Sequence, residues 1–388
     1  YSASPWTLPS FGSILTGFSP SIHKAGKTRK RKTGEGLTSL NRKLLTIPEM
    51  LPEHRSYGLV NNTHLNPKFG MADGYEEYIH NRAGYSGYVN ARKTADRAWD
   101  MLSSQVDGKF FMLLHFFDPH VPYRPPKAFE RKHAAGDKGT IDNLSYQSFS
   151  ALHKYKYIPT GPEIAYLRGL YDGEVTYVDH QIGKLVAKIS KSELLKNTWV
   201  IITSDHGEEF YEHGYFEHGH TYTNEVTQVP FILVPPKGHP LGKGQRVSTT
   251  SRHIDIAPTI LDLLDATAPY PIEGKSVASL ISGEETKDRE CFMEYNLRVS
   301  QKRALFDGKR KVIVPKKKPS RAWMFDLHTD PMEQQRLSKK KTLRKMKRRL
   351  TDYSAAIRAM TPAHDVEAKS VELSEEEAEA LRSLGYIE

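Results

Sequence analysis

The chain has 388 residues, 38% of them hydrophobic, and a formal net charge of +10. This suffices for one large domain and a smaller one, and no apolar run reaches the roughly 18 residues that a membrane-spanning helix needs. Cys291 is the only cysteine, which excludes an intramolecular disulfide and a thiolate metal cluster. Its apolar Cys-Phe-Met setting reads as core rather than as a catalytic thiol. The positive charge gathers at Lys24 to Lys32, Lys316 to Lys318 and Lys339 to Arg349. Such runs are usually solvated surface, able to attract an anionic substrate, an anionic lipid or nucleic acid. No stacking-aromatic motif or helix-turn-helix pattern accompanies them, so nucleic-acid binding is not read as the main role.

Tyr1 to Pro9 already read as the interior of a domain, so the chain is expected to lack its natural start, and a missing leader peptide says nothing of compartment. A short helix is expected through Phe11 to Thr16, then a strand over Tyr57 to Val60 followed by the polar cluster Asn61-Asn62-Thr63-His64. A helix over about Tyr88 to Leu102 leads to a second buried strand, Phe110 to Phe117, which ends at Asp118-Pro119-His120. Residues 124–160, rich in Pro, Lys, Gly and Tyr, read as an excursion that lines or covers a site. Leu167, Leu170, Val175, Val178, Ile182 and Leu185 have helical spacing within Glu163 to Ile189. The β-branched run at Trp199 to Ile202 reads as a buried strand, Val229 to Val234 as another, and Asp255 to Leu264 as a helix with Pro258 early in it.

Strands and helices in alternation predict an α/β chain with a largely parallel sheet sandwiched by helices. After about residue 286 the character changes. Short strand-like runs at Cys291 to Tyr295, Ala304 to Phe306, Lys311 to Val314 and Ala322 to Asp326 predict a small antiparallel sheet with terminal helices. The expected division is 1–285 and 286–388, without internal repeats.

The segment Thr203-Ser204-Asp205-His206-Gly207-Glu208 sits where a strand stops, and in α/β sheets ligands collect at the carboxyl ends of strands. Adjacent Asp and His can both turn toward one divalent cation, and Gly207 lets the backbone bend directly afterwards. A turn satisfying its own backbone is the bland alternative for Asp-His-Gly. His213, His218 and His220 follow within fourteen residues and favour a metal or phosphate site.

Four separated segments belong together: Pro5-Trp6-Thr7-Leu8-Pro9-Ser10 with Leu15-Thr16-Gly17, Asn61 to His64, Asp118 to Tyr123, and Asp205 to His220. With "GLYDGEVTYVDHQIGKL" at 169–185, "HIDIAPTILDLLDA" at 253–266, "MFDLHTDPMEQ" at 324–334 and the ending "EEEAEALRSLGYIE", they resemble the sulfatase family of the alkaline phosphatase superfamily over nearly the whole chain. The resemblance implies an alkaline-phosphatase-like αβα sandwich with a mostly parallel central sheet and a small C-terminal antiparallel subdomain. It favours a periplasmic or extracellular location, which the residues themselves leave open.

In that family the nucleophile lies in a Cys-x-Pro-x-Arg motif running on to Leu-Thr-Gly. Pro9 matches the proline, Thr7 falls at the cysteine, and Phe11 replaces the arginine. Threonine cannot be converted to the formylglycine of sulfatases, but it can attack as a metal-bound alkoxide, as in superfamily phosphodiesterases and phosphoethanolamine transferases. Its structural alternative is a helix N-cap.

By the same resemblance Asp205 and His206 are metal ligands with Thr7, His218 contacts the transferred group or leaving oxygen, and His220 is its substitute. His120 binds the anionic group near the leaving atom. His64 is a substrate-binding candidate, although Asn62 replaces the lysine that usually precedes it. His213 is read as surface or outer support, His253 and Asp255 as a buried helix start, and Asp179 and His180 as helix surface. Further metal ligands are expected from a strand preceding the Thr7 segment. One divalent metal ion is implied, with Zn²⁺ or Mn²⁺ suiting this donor set and Ca²⁺ or Mg²⁺ typical of true sulfatases.

The resulting expectation is a metal-dependent hydrolase of a phosphoester or sulfate ester, its substrate a small molecule or an anionic ester of a glycan or lipid. An arylsulfatase-like sulfuric ester hydrolase, a phosphoethanolamine-type transferase and a non-catalytic binder of anionic glycans or lipids are the alternatives. Oligomeric state is left open.

Overall fold

Trp6, not Thr7, caps the first helix, α1 (Thr7–Thr16): Trp6 is extended, at φ −163° and ψ 162°, and Thr7 is the first helical residue. Pro9 falls in the first turn, where its missing N–H costs no hydrogen bond. The helix therefore starts one turn earlier than Phe11. It ends at Gly17, whose left-handed backbone (φ 74°) lets its N–H reach the Ser13 carbonyl at 2.9 Å. The computed structural model describes the chain apart from residues 31–33, 82–88, 105–107, 135–137, 140–156, 242–243, 299–300, 361–367, 384–385 and 387–388. Tyr88, the expected helix start, and most of the 124–160 excursion lie outside the described residues.

After a short helix α2 (Pro20–His23), β1 (Gly26–Lys30) and β2 (Gly34–Thr38) form an antiparallel pair. β3 (Arg55–Val60) then pairs in parallel with β4 (Glu77–His80) on one side and β5 (Phe110–Leu114) on the other. Parallel strands need a crossover connection, and α3 (Ala91–Ser104) lies in the one that leads from β4 past β3 to β5. α4 (Lys127–His133) precedes the longest helix, α5 (Gly161–Lys191). Thr160 and Glu163 close a reciprocal cap at its start: the Glu163 N–H donates to the Thr160 hydroxyl, and the Glu163 carboxylate accepts from the Thr160 N–H at 2.8 Å. Ala98 and Met101 of α3 and Leu185 and Ile189 of α5 bury against Tyr57 and Leu59 of β3.

β6 (Val200–Thr203) follows, then a two-residue ladder of β7 (Glu209–Phe210) with β8 (Phe216–Glu217), a turn of helix α6 (Asn224–Thr227) and β9 (Phe231–Val234). β9 runs antiparallel to β6, so the α/β body combines a parallel sheet with an antiparallel pair. Both strands expected to be buried, β5 and β6, are only half-buried. The reason is a cavity of about 2020 Å³ against which both lie, and which extends to Thr7, His120, Asp205 and His206. α7 (Ile256–Leu263) and α8 (Ala278–Ile281) complete this part, with Asp255 at the entry to α7 held by Arg252 (2.7 Å) and Arg289 (3.1 Å).

The antiparallel sheet forms in the order β10 (Cys291–Met293), β11 (Lys302–Phe306), β12 (Arg310–Pro315), β13 (Trp323–Asp326). Period-two alternation sends Val312 of β12 to one face and Ile313 to the other. α9 (Lys340–Ala359) covers the first face with Met346, Leu350 and Ile357, leaving much of its basic side in solvent. Cys291 is buried in the second face. The chain then returns to the α/β body. The Val371 N–H donates to the Leu37 carbonyl (3.0 Å), and α10 (Glu375–Ser383) packs on the turn Thr63–Leu65. Leu381 and Tyr386 join Trp6, Leu8, Val60 and Leu65 in the main core. No helix among the described residues is long and apolar enough to cross a membrane.

Candidate active site

Because Trp6 holds the cap position, the Thr7 hydroxyl is free of a capping role. Its Oγ1 lies 3.3 Å from Nε2 of His206 and also hydrogen-bonds the Asp205 carboxylate. His206 Nε2 is 3.5 Å from Asp205 Oδ2. The His206 Nδ1–H donates to the Gly207 carbonyl at 2.9 Å, so the Nε2 lone pair faces Asp205 and Thr7. The separations of His206 Nε2 from Thr7 Oγ1 (3.3 Å) and from Asp205 Oδ2 (3.5 Å) are close to the edge of a tetrahedron whose metal–ligand bonds are about 2.1 Å. The donor set therefore fits a divalent cation in spacing, chemistry and tautomer. Burial pushes the Asp205 carboxyl upward, but His206, His115 and the Thr7 hydroxyl outweigh it and hold the group below the usual carboxylate range.

Gly207 is needed here for close approach rather than for an unusual φ. A Cβ at this position would sit 2.1 Å from the Glu225 carbonyl oxygen, and the Gly207 N–H donates to the Val226 carbonyl at 2.8 Å. The His253 Nε2–H donates to the Ser204 carbonyl (2.9 Å), which fixes the strand end from behind. His253 is thus a support, and Asp179 and His180 are exposed on α5.

A chain of polar contacts runs beside this trio. The Tyr123 hydroxyl donates to Glu208 Oε2 (2.9 Å), and Glu208 Oε1 is 2.9 Å from His218 Nδ1. His218 Nε2 is 3.0 Å from the Tyr386 hydroxyl, which is 2.7 Å from His120 Nε2. The His120 Nδ1–H donates to the Val121 carbonyl (2.7 Å), so His120 Nε2 accepts the only proton Tyr386 has. The bond to His218 then requires His218 Nε2 to donate, which places a proton between His218 Nδ1 and Glu208. Burial, reinforced by the neighbouring Glu217, raises the Glu208 carboxyl well above its usual range, and burial lowers His218 well below its own. Both directions describe a protonated Glu208 bonded to a neutral His218 that carries its proton on Nε2. Burial likewise pushes His120 down to about 4.

The turn presenting His218 is strained. Glu217 has φ 63° and is tied to Arg298 at 3.2 Å, and Gly219 follows at φ 86°. His64 is fully buried, edge-on to Tyr386 with ring centroids 4.1 Å apart, and neither of its nitrogens has a hydrogen-bond partner among the described residues. Burial lowers it to about 3. The structure therefore gathers Thr7, Asp205, His206, His218, His120 and His64. Of the two later histidines, His218 is the one between Glu208 and Tyr386, while His220 stacks on Tyr215 at 5.0 Å.

The roles of four residues escaped the sequence reading. Glu208, Tyr123 and Tyr386 lie inside quoted motifs, and their contacts gave no sequence signal. Tyr386 stands 168 residues from His218 and 266 from His120. His115, whose Nδ1 accepts from the Asn61 N–H at 3.4 Å, was read only as a strand residue. A second imidazole–carboxylate group, His213, Glu225 and Glu333, brings its donor atoms within 4.8 Å of one another. Lys311 Nζ already supplies a cation there, 3.1 Å from Glu333, and His213 pairs with Glu225 at 3.4 Å.

The family model for "Sulfatase" matches residues 1–266, and the model "N-sulphoglucosamine sulphohydrolase, C-terminal" matches 211–359. The chain belongs to the sulfatase family. Among its sulfatase relatives, the "Uncharacterized sulfatase YidJ" of Escherichia coli K12 is 29% identical over 53% of this chain and 41% of that protein. The arylsulfatase of Clostridium perfringens is 26% identical over 67% of this chain and 54% of that protein. The chain thus spans about half the length of these relatives. The sulfatase-type fold recurs in BT4656 complexed with its substrate D-glucosamine-2-N,6-O-disulfate, at a TM-score of 0.71 and 17% identity, covering 94% of this chain and 91% of that one. It recurs also in the phosphonate monoester hydrolase of Agrobacterium radiobacter, at 0.72 and 16%, covering 97% and 90%. These named relatives and neighbours include hydrolases of sulfate and phosphonate esters.

Proposed function

We propose that this sulfatase-family chain cleaves an anionic ester, a sulfate or phosphoester, with the Thr7 hydroxyl as nucleophile. The observation that carries the reading is the orientation of Thr7: its oxygen caps no helix and faces His206 Nε2 at 3.3 Å beside an ionised Asp205. A divalent cation held by Asp205, His206 and Thr7 would supply Lewis acidity, favouring the alkoxide and offsetting charge on the ester's oxygens.

The chain's own groups account for the remainder. Thr7 Oγ1, its proton released to solvent, forms the new bond to sulfur or phosphorus as the bond to the leaving oxygen breaks. His218 Nε2–H gives its proton to that oxygen, and Glu208 replenishes it through Nδ1. His120, 5.2 Å from His218 by ring centroid, is placed to bond a second oxygen of the group. Burial of His64, with both nitrogens unmatched, equips it to contact substrate. Water or an acceptor hydroxyl then releases the group from Thr7. Substrate class is read as an anionic ester of a sugar or aryl alcohol, in keeping with the disulfated glucosamine carried by one structural neighbour.

The test supplies Mn²⁺, Zn²⁺, Ca²⁺ or Mg²⁺ and offers chromogenic sulfate, phosphate monoester and phosphate diester substrates to the wild type and Thr7→Ala in parallel. Turnover lost in Thr7→Ala supports the reading. Turnover indifferent to Thr7→Ala rejects it.

A further inference from the structure

Tyr386 is 1% exposed and uses its hydroxyl on the Nε2 atoms of both His120 (2.7 Å) and His218 (3.0 Å). Each imidazole has already committed its Nδ1, to the Val121 carbonyl and to Glu208 respectively. A ring nitrogen carries one in-plane lone pair or one N–H, so Nε2 serves a single strong partner at a time. The phenol and a substrate's ester oxygen therefore compete for the same two atoms. The ring blocks the site as well, since it stands edge-on against His64 at 4.1 Å.

We propose that Tyr386 is a built-in occupant of the leaving-group position, and that an ester gains access to His120 and His218 only as this phenol withdraws. The inference rests on the reading that those two imidazoles address the ester.

Tyr386 is held by core packing beside Leu381, Trp6 and Val60 and by polar anchors on the preceding helix. α10, which precedes it, is tied to the body by Glu377, whose carboxylate accepts from Asn66 Nδ2 (2.8 Å) and Lys68 Nζ (2.6 Å). α10 packs against the turn that carries His64, and the Tyr386 N–H donates back to the Leu381 carbonyl at 3.0 Å. Withdrawal gives up the core burial of Tyr386, but Tyr386 belongs to no strand, so no ladder of the parallel sheet has to break for it.

The test is equilibrium binding of 4-nitrophenol, a free phenol that would take the same position, to the full chain and to Tyr386→Ala, Tyr386→Phe and Glu377→Gln. Tyr386→Ala is expected to bind about tenfold tighter, the scale of one to two hydrogen bonds relinquished by the competitor. Tyr386→Phe and Glu377→Gln should shift in the same direction by less, and they carry the test should Tyr386→Ala fail to fold. Unchanged or weaker binding in folded variants overturns the gate. Ester turnover with unaltered phenol affinity rejects the gate and keeps the proposed reaction. Tightened affinity without turnover of any ester keeps the gate and rejects the reaction.

Discussion

Thr7 Oγ1 lies 3.3 Å from His206 Nε2, across 199 residues of sequence. One comes from the first residue of a helix and the other from just beyond the end of a strand, and the helix is capped by the residue before Thr7. The hydroxyl is thereby left to face an imidazole lone pair and a carboxylate. A purely structural threonine at this position would be expected to bond the backbone of its own helix instead.

Removal of that hydroxyl is expected to abolish chemistry while leaving the fold. Thr7→Ala should lower kcat by roughly 10³-fold or more with an unchanged far-UV spectrum, and Thr7→Ser should retain a measurable part of the activity. Steady-state kinetics on whichever chromogenic ester is turned over provide the check.

His218→Gln and Glu208→Gln should differ in kind. Loss of the His218 proton donor is expected to reduce kcat about 10²- to 10⁴-fold, most for esters with poor leaving groups. Glu208→Gln keeps shape but can bond His218 Nδ1 only by donating its amide hydrogen, so a smaller loss is expected. Equal losses across leaving groups of graded acidity would contradict the role of His218.

Glu377 connects pH to the seating of α10. Burial raises this carboxyl, but Lys68 and then the Ser374 N–H outweigh it and bring the pKa from 4.5 to about 2. A depressed carboxylate contributes stability above its unfolded pKa and loses it as pH falls through the folded value. The contribution, about 2 kcal/mol after discounting for the half-exposed Lys68, should therefore be present above pH 4.5 and vanish toward pH 2. Denaturation midpoints of the wild type and Glu377→Gln should converge over that window. A constant difference would contradict the assignment.

Gly207→Ala should cost about 1–3 kcal/mol, because the added Cβ meets a backbone carbonyl that cannot rotate aside. Since Gly207 follows His206, activity should fall beyond what lost stability explains. Thermal unfolding and kinetics of the variant measure the two effects separately.

How much of this was legible depends on the range of the interactions. α5 was legible through apolar spacing, and its start is the local Thr160–Glu163 cap. Only Leu167, Leu170 and Leu185 of the expected stripe are buried, however, while Val175 is exposed and Tyr166, Tyr177 and Gln181 join the buried face. The strand end before Asp205 was also locatable, because an apolar run stops and polar residues begin, whereas the strand before His120 stops at Leu114, short of the expected Phe117. Half-burial of β5 and β6 was not, since it depends on a cavity assembled from distant segments. Thr7 offered two roles that a sequence cannot separate: capping and catalysis both want a hydroxyl at a helix start, and only the position of Trp6 distinguishes them. Tyr386 lies inside the quoted ending 375–388, but nothing local to it signals contact with a histidine. Its meaning lies in two histidines brought to it by the fold.

The most direct measurement is acid quench of the metal-loaded chain during turnover, followed by mass analysis of the peptide containing Thr7. The account predicts a transient adduct of one phosphoryl or sulfuryl group on Thr7, absent from Thr7→Ala. Turnover with no adduct at any quench time, or an adduct on another residue, would contradict it.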